Sequence, residues 1–149
     1  MHPPKKLIPY GIAIALAALG ADAFALPAAT VEMFKNPYCG CCEHWAEHMR
    51  ANGYVVNVRV VPDVTPVRRG LGVADAFVSC HTATVGGYVV EGHVPAGDVG
   101  RLLKEHPRAL GLASPGMPQG APGMDGPGKA PYDVLLVQRD GRSRVFAAH

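Results

Sequence analysis

About half of the residues from 107 to 131 are glycine or proline. Glycine is costly to order, and proline breaks helices and sheet ladders, so this stretch predicts neither helix nor strand. Structureless segments of such length inside a compact domain are usually functional or disordered. Regular structure therefore has to be built before residue 107 and closed after residue 131, with a long insertion between. A spaced repeat, Pro115-Gly116-Met117 and Pro122-Gly123-Met124, lies inside the insertion.

Ahead of it, Thr30 to Phe34 alternates like a short strand, and Asn36-Pro37 marks a turn. Cys42 to Ala51 has helical spacing, with Cys42, Trp45 and Met49 on one side and Glu43, Glu47 and Arg50 on the other. Asn52-Gly53 stops that helix, and valine-rich Tyr54 to Val61 reads as a second strand, completing a β–α–β unit. Thr65 to Leu71 predicts a short helix weakened by Gly70. Thr82 to Val85 and Tyr88 to Val90 make a hairpin about Gly86-Gly87. Gly97 to His106 is helical with Val99, Leu102 and Leu103 inward, and Pro107 ends it. A last hairpin runs from Tyr132 to Ala147 about Asp140-Gly141. The fold class is α/β: a thioredoxin-like β-α-β-β-α core with a Gly/Pro/Met-rich insertion and a C-terminal β-hairpin.

The first residues read as an export signal. Lys5 and Lys6 precede an apolar run from Leu7 to Leu19, and Ala23-Phe24-Ala25 fits a small-x-small cleavage site. Cleavage after Ala25 gives residues 1–25 as signal peptide and 26–149 as a single domain beginning Leu26-Pro27. The apolar run is shorter than the ~20 residues that span a bilayer, so no stable membrane anchor is expected. The expected compartment is the periplasm. A formal charge of +2 without a dense basic stretch argues against nucleic acid as a partner.

Three of the four cysteines fall in Cys39-Gly40-Cys41-Cys42, and the fourth is in Ser79-Cys80-His81-Thr82. Two structural disulfides would suit an oxidising compartment, but structural bridges rarely crowd three cysteines into one turn, and vicinal Cys41 and Cys42 would make a strained bond. Cys39 and Cys42 form a C-x-x-C frame at a predicted helix start, where free N–H groups and the helix dipole favour thiolate. Thiolate serves as nucleophile or as metal ligand. Cys41 tilts the choice, since a dithiol catalyst needs two sulfurs and not three. In a thioredoxin-like fold the turn before the third strand faces that helix end, which would bring Cys80 to the cluster.

Four converging thiolates suit Cu(I), zinc or an iron–sulfur centre. Adjacent Cys41 and Cys42 would cramp a single zinc ion, whereas Cu(I) accepts few sulfurs and bridging thiolates, so crowding favours copper, as Cu(I) in a multinuclear cluster. The metal ligands are therefore Cys39, Cys41, Cys42 and Cys80. Met117 and Met124, soft thioethers on the insertion, are candidate secondary ligands, against packing of the loop as the alternative. His81 and His93 are the other candidates, as ligands or proton carriers, against plain structural roles. His44 and His48 lie one helical turn apart and read more simply as surface residues. Met33, Met49 and Trp45 read as core.

These motifs together resemble those of the CopG-type periplasmic copper-resistance proteins. The similar stretches are Tyr38-Cys39-Gly40-Cys41-Cys42 with Trp45 and His48, Ser79-Cys80-His81-Thr82-Ala83, Gly87 to Ala96, and the two Pro-Gly-Met motifs. Departures fall at Ala74-Asp75-Ala76-Phe77, Gln119 and Ala121, none of them a proposed ligand. The resemblance implies a thioredoxin-like fold, copper bound through the C-x-C-C cysteines and Cys80, and a role in copper homeostasis with other copper-handling proteins as partners. Three functions follow in order. The first is a periplasmic copper-binding protein that can couple copper and thiol redox states. The second is a thiol–disulfide oxidoreductase with Cys39 as nucleophile and Cys42 as resolving thiol, the catalytic pair if the chain turns over. The third is a binding module with inert, cross-linked cysteines.

Overall fold

The computed structural model describes residues 28–149. The expected export signal and its expected cleavage site lie outside the described residues. Seven strands form one sheet in the order β2-β1-β3-β4-β5-β6-β7. In chain order the elements are β1 (Thr30–Lys35), α1 (Gly40–Ala51), β2 (Val55–Val60), α2 (Thr65–Gly70), a 3-10 turn (Asp75–Phe77), β3 (His81–Val85), β4 (Tyr88–Glu91), α3 (Ala96–Glu105), β5 (Gly111–Ala113), β6 (Asp133–Val137) and β7 (Ser143–Ala148). β1 runs parallel to β2 across the α1 connection and antiparallel to β3, which pairs with β4 as the expected hairpin.

Alternation along the strands gives the sheet two buried faces. Val31 and Met33 of β1, Ala83 and Val85 of β3, and Tyr88 and Val90 of β4 share one core with Trp45, Ala46 and Met49 of α1 and with Val99 and Leu102 of α3. Full burial of apolar side chains of this size is worth about 1.5–3 kcal/mol each, which makes this layer the main source of cohesion. Trp45 also donates its indole N–H to the Val94 carbonyl at 2.8 Å, so its one polar atom is satisfied. On the other face a smaller cluster joins Val73 and Phe77, beside α2, to Val89, Ala113 and Val137.

The Gly/Pro-rich segment differs from the sequence expectation. It contains β5, a buried strand held parallel to β4 and antiparallel to β6. Three residues suffice because the ladder is supplied from both sides, and Gly111 is required because any Cβ there would overlap the Val89 backbone. The C-terminal hairpin consequently extends the main sheet. Residues 114–132 remain outside helix and strand. α3 ends as expected before Pro107, with His106 in the left-handed region at φ 49° closing the helix.

Candidate metal centre

Asn36 accepts the Tyr38 N–H on its side-chain oxygen at 2.9 Å, turning the chain between β1 and α1. Cys39 is then the N-cap residue of α1, in extended conformation and with no side-chain cap. The first-turn N–H groups are left to face the cysteines, with the positive end of the helix dipole behind them. Lys35, buried at the end of β1, ties the first turn down through Glu43 at 2.8 Å.

Cys39 and Cys42 are joined as a disulfide, and Cys41 and Cys80 are free. Cys42 is fully buried while Cys39 is partly exposed. Cys41 Sγ lies 3.5 Å from Cys39 Sγ and 3.9 Å from Cys80 Sγ. All four sulfurs fall within 4.8 Å of one another, and a second group of Cys80, His81 and His93 meets the same limit. Cys80 belongs to both.

His93 is held by the insertion. Its Nδ1–H donates to the Pro122 carbonyl at 2.8 Å, and only a protonated nitrogen can make that bond. Nε2 is therefore a lone pair, and it lies 2.9 Å from Cys80 Sγ, where it accepts the thiol proton. An outer carbonyl that fixes the free nitrogen of a histidine is the usual support of a metal-ligating imidazole. His81 packs on Trp45 with ring centroids 4.5 Å apart and presents Nδ1 to Cys80 Sγ at 3.4 Å. Its Nε2 is buried without a hydrogen-bond partner among the described residues.

Burial holds both imidazoles neutral. Desolvation pushes His81 well below its ordinary value, with His93 and Arg68 adding repulsion, and lowers His93 against the opposing Pro122 bond. Desolvation, followed by the neighbouring Cys41 sulfur, pushes the Cys80 thiol up to about 12. Without a cation Cys80 keeps its proton, and a bound cation would have to displace it.

Two solved structures, forms 1 and 2 of copper resistance protein CopG, share this architecture. Each is 39% identical to the chain with a TM-score of 0.78; they cover 83% and 82% of this chain, and 98% of each solved chain is matched. The chain belongs to the CopG copper-resistance family. A family model described as a protein of unknown function, DUF411, matches residues 77–124. No curated protein matches the chain.

In this CopG-family chain the four expected cysteines and both expected histidines come together around Cys80. Because Cys39 and Cys42 are bonded to each other, four thiolates are available only after that bond is reduced. Met117 is 57% exposed, and Met124 is half-buried in a cleft on the outer side of α1 with His44 and Asp125. His44 and His48 have separate partners: His44 pairs with Asp125 at 3.0 Å, and His48 accepts the Ala96 N–H at 3.1 Å.

The insertion is strapped across the centre at several points. Gly116 donates its N–H to the Val78 carbonyl at 3.0 Å and accepts from the Ser79 hydroxyl. Gly123, at φ 83°, lies so close to α1 that an added Cβ would sit 2.7 Å from the Trp45 nitrogen and 2.8 Å from the Cys41 carbonyl.

One group escaped the sequence reading. Behind Cys80, Arg68 pairs with Glu91 at 2.9 Å, and both are buried. Glu91 accepts the Ser79 N–H at 2.8 Å and the Thr82 hydroxyl at 2.6 Å, while Arg68 donates to the Ser79 carbonyl at 2.7 Å. This network grips both ends of Ser79-Cys80-His81-Thr82 from the opposite face of the sheet. Burial raises the Glu91 carboxyl, against those hydrogen bonds and the Arg68 charge. Its signal in the sequence was a carboxylate ending the apolar run Tyr88-Val89-Val90.

Proposed function

We propose that the chain is a periplasmic copper-binding protein of copper resistance that holds Cu(I) in a multinuclear thiolate cluster of Cys39, Cys41, Cys42 and Cys80. The observation that carries this reading is the meeting of four sulfurs and two neutral imidazoles at Cys80. Soft thiolate and imidazole donors suit Cu(I), and neutral imidazole is the ligating form. His81 and His93 serve as secondary ligands, and Met117 and Met124, on the strapped insertion, are offered to incoming copper. Kinship with copper resistance protein CopG supports the same cargo. The β1–α1–β2 unit and the β3–β4–α3 unit are read as a thioredoxin-like core, with copper ions and other copper-handling proteins as partners.

Cycling of the Cys39–Cys42 bond would couple copper and thiol redox states, because the disulfide withholds two of the four sulfurs. The same bond favours a second reading, a thiol–disulfide oxidoreductase. Cys39 is the accessible sulfur and Cys42 the shielded one, as a nucleophile and a resolving thiol require.

Cys80→Ser separates the two. A cluster needs every bridging sulfur, so the variant is expected to lose most of its Cu(I) in a chelator competition while its circular dichroism stays unchanged; the near-isosteric hydroxyl leaves no cavity to blame. Full copper binding in Cys80→Ser, with disulfide exchange abolished by Cys39→Ser, would establish the oxidoreductase instead.

A further inference from the structure

With Cys39 and Cys42 bonded to each other, two thiols remain, and they face one another. Cys41 Sγ and Cys80 Sγ are 3.9 Å apart, on the first turn of α1 and immediately before β3. The gap exceeds a disulfide bond of about 2.05 Å by a distance that side-chain rotation can close. Neither side chain is walled off, since both residues are partly exposed. The Cys80 sulfur is oriented by His93, and its backbone is gripped by the Arg68–Glu91 network.

We propose that Cys41 and Cys80 are a second redox pair, which closes into a disulfide by reducing Cu(II) to Cu(I) while the Cys39–Cys42 bond stays intact. This rests on copper being the cargo. Each thiol gives up one proton and one electron. Two Cu(II) ions take one electron each and become two Cu(I) ions, the two sulfurs bond to each other, and two protons pass to solvent. A lone thiol would be left as a radical after one such transfer; here the second sulfur is already within reach. With both bonds closed, the four cysteines hold two disulfides and the site has stored four oxidising equivalents. The chain would then accept copper in either oxidation state: Cu(I) through reduced sulfurs, and Cu(II) by consuming them.

The test starts from protein carrying the Cys39–Cys42 disulfide, without oxygen, to which Cu(II) is added with bicinchoninate to trap Cu(I). The expected yield is two Cu(I) per chain with loss of both alkylatable thiols, in monomers and independent of protein concentration. A Cys39→Ser, Cys42→Ser double variant keeps only the proposed pair. It is expected to give the same yield and a peptide cross-link from Cys41 to Cys80. Cys80→Ser is expected to give at most one Cu(I) per chain, accompanied by dimers through Cys41. Thiols that stay alkylatable, bonds that form only between chains, or Cys80 bonded to Cys39 or Cys42 would each overturn the proposal. Cu(I) affinity of the fully reduced chain is measured alongside. Tight Cu(I) binding with no Cu(II) reduction overturns this inference alone, and absence of both overturns the copper reading beneath it.

Discussion

At the residue scale His81 combines two unfavourable features, complete burial and an unpartnered Nε2. An unfolded chain would titrate this imidazole near 6.5, whereas the folded chain holds it well below. Between those values the unfolded state binds more protons, so the folded state loses stability as pH falls from about 6.5. Glu91 acts in the opposite direction, since its raised value weakens folding as pH rises from 4.5. Comparison with a variant isolates the imidazole. Urea midpoints of the metal-free protein should fall on acidification from pH 7 to 5 by more than those of His81→Leu. Equal slopes would mean that His81 is solvated. The cysteines and histidines of the centre were legible as residue types because soft donors at close spacing have few other uses. Cys39 and Cys42 were legible as a C-x-x-C pair, but their closed bond was not, since a redox state is not written in a sequence. Nor were Arg68 and Glu91, whose partnership joins α2 to β4 and has no local pattern.

At the scale of elements, α1, the β3–β4 hairpin and α3 could be read from the sequence because each is specified by its own periodicity and its own stop signals. β5 could not. Gly111-Leu112-Ala113 is too short to carry a period, and its strand conformation is imposed by β4 and β6 on either side. The insertion was legible as an interruption whose methionines could reach the cysteines, but the backbone contacts that hold it were not, because they depend on close approach. Gly123 gives the handle on that hold. Gly123→Ala places a methyl group against the backbone of α1 and strains a residue at φ 83°. The expected result is faster amide exchange across residues 116–125 with little change in β1 or β3. Unchanged exchange there would show that the strap is held from elsewhere.

For the whole molecule, the sheet brings the C-terminal end of β1, the start of α1 and the start of β3 to one place, and the cysteines are gathered there although Cys42 and Cys80 are 38 positions apart in the chain. Among the described residues no helix is long and apolar enough to cross a membrane. The reading of residues 1–25 as an export signal predicts a mature chain starting at or near Leu26, which intact-mass measurement of protein recovered from the periplasm checks; retention of Lys5 and Lys6 would refute it. The most direct test of the four-sulfur copper centre is a Cu(I) competition titration of the same protein before and after reduction of the Cys39–Cys42 bond. Tight Cu(I) binding is expected only after reduction, with affinity at least about tenfold weaker, or about 1.4 kcal/mol, while the disulfide is closed. Equal affinity in the two states would contradict a centre built on all four cysteines.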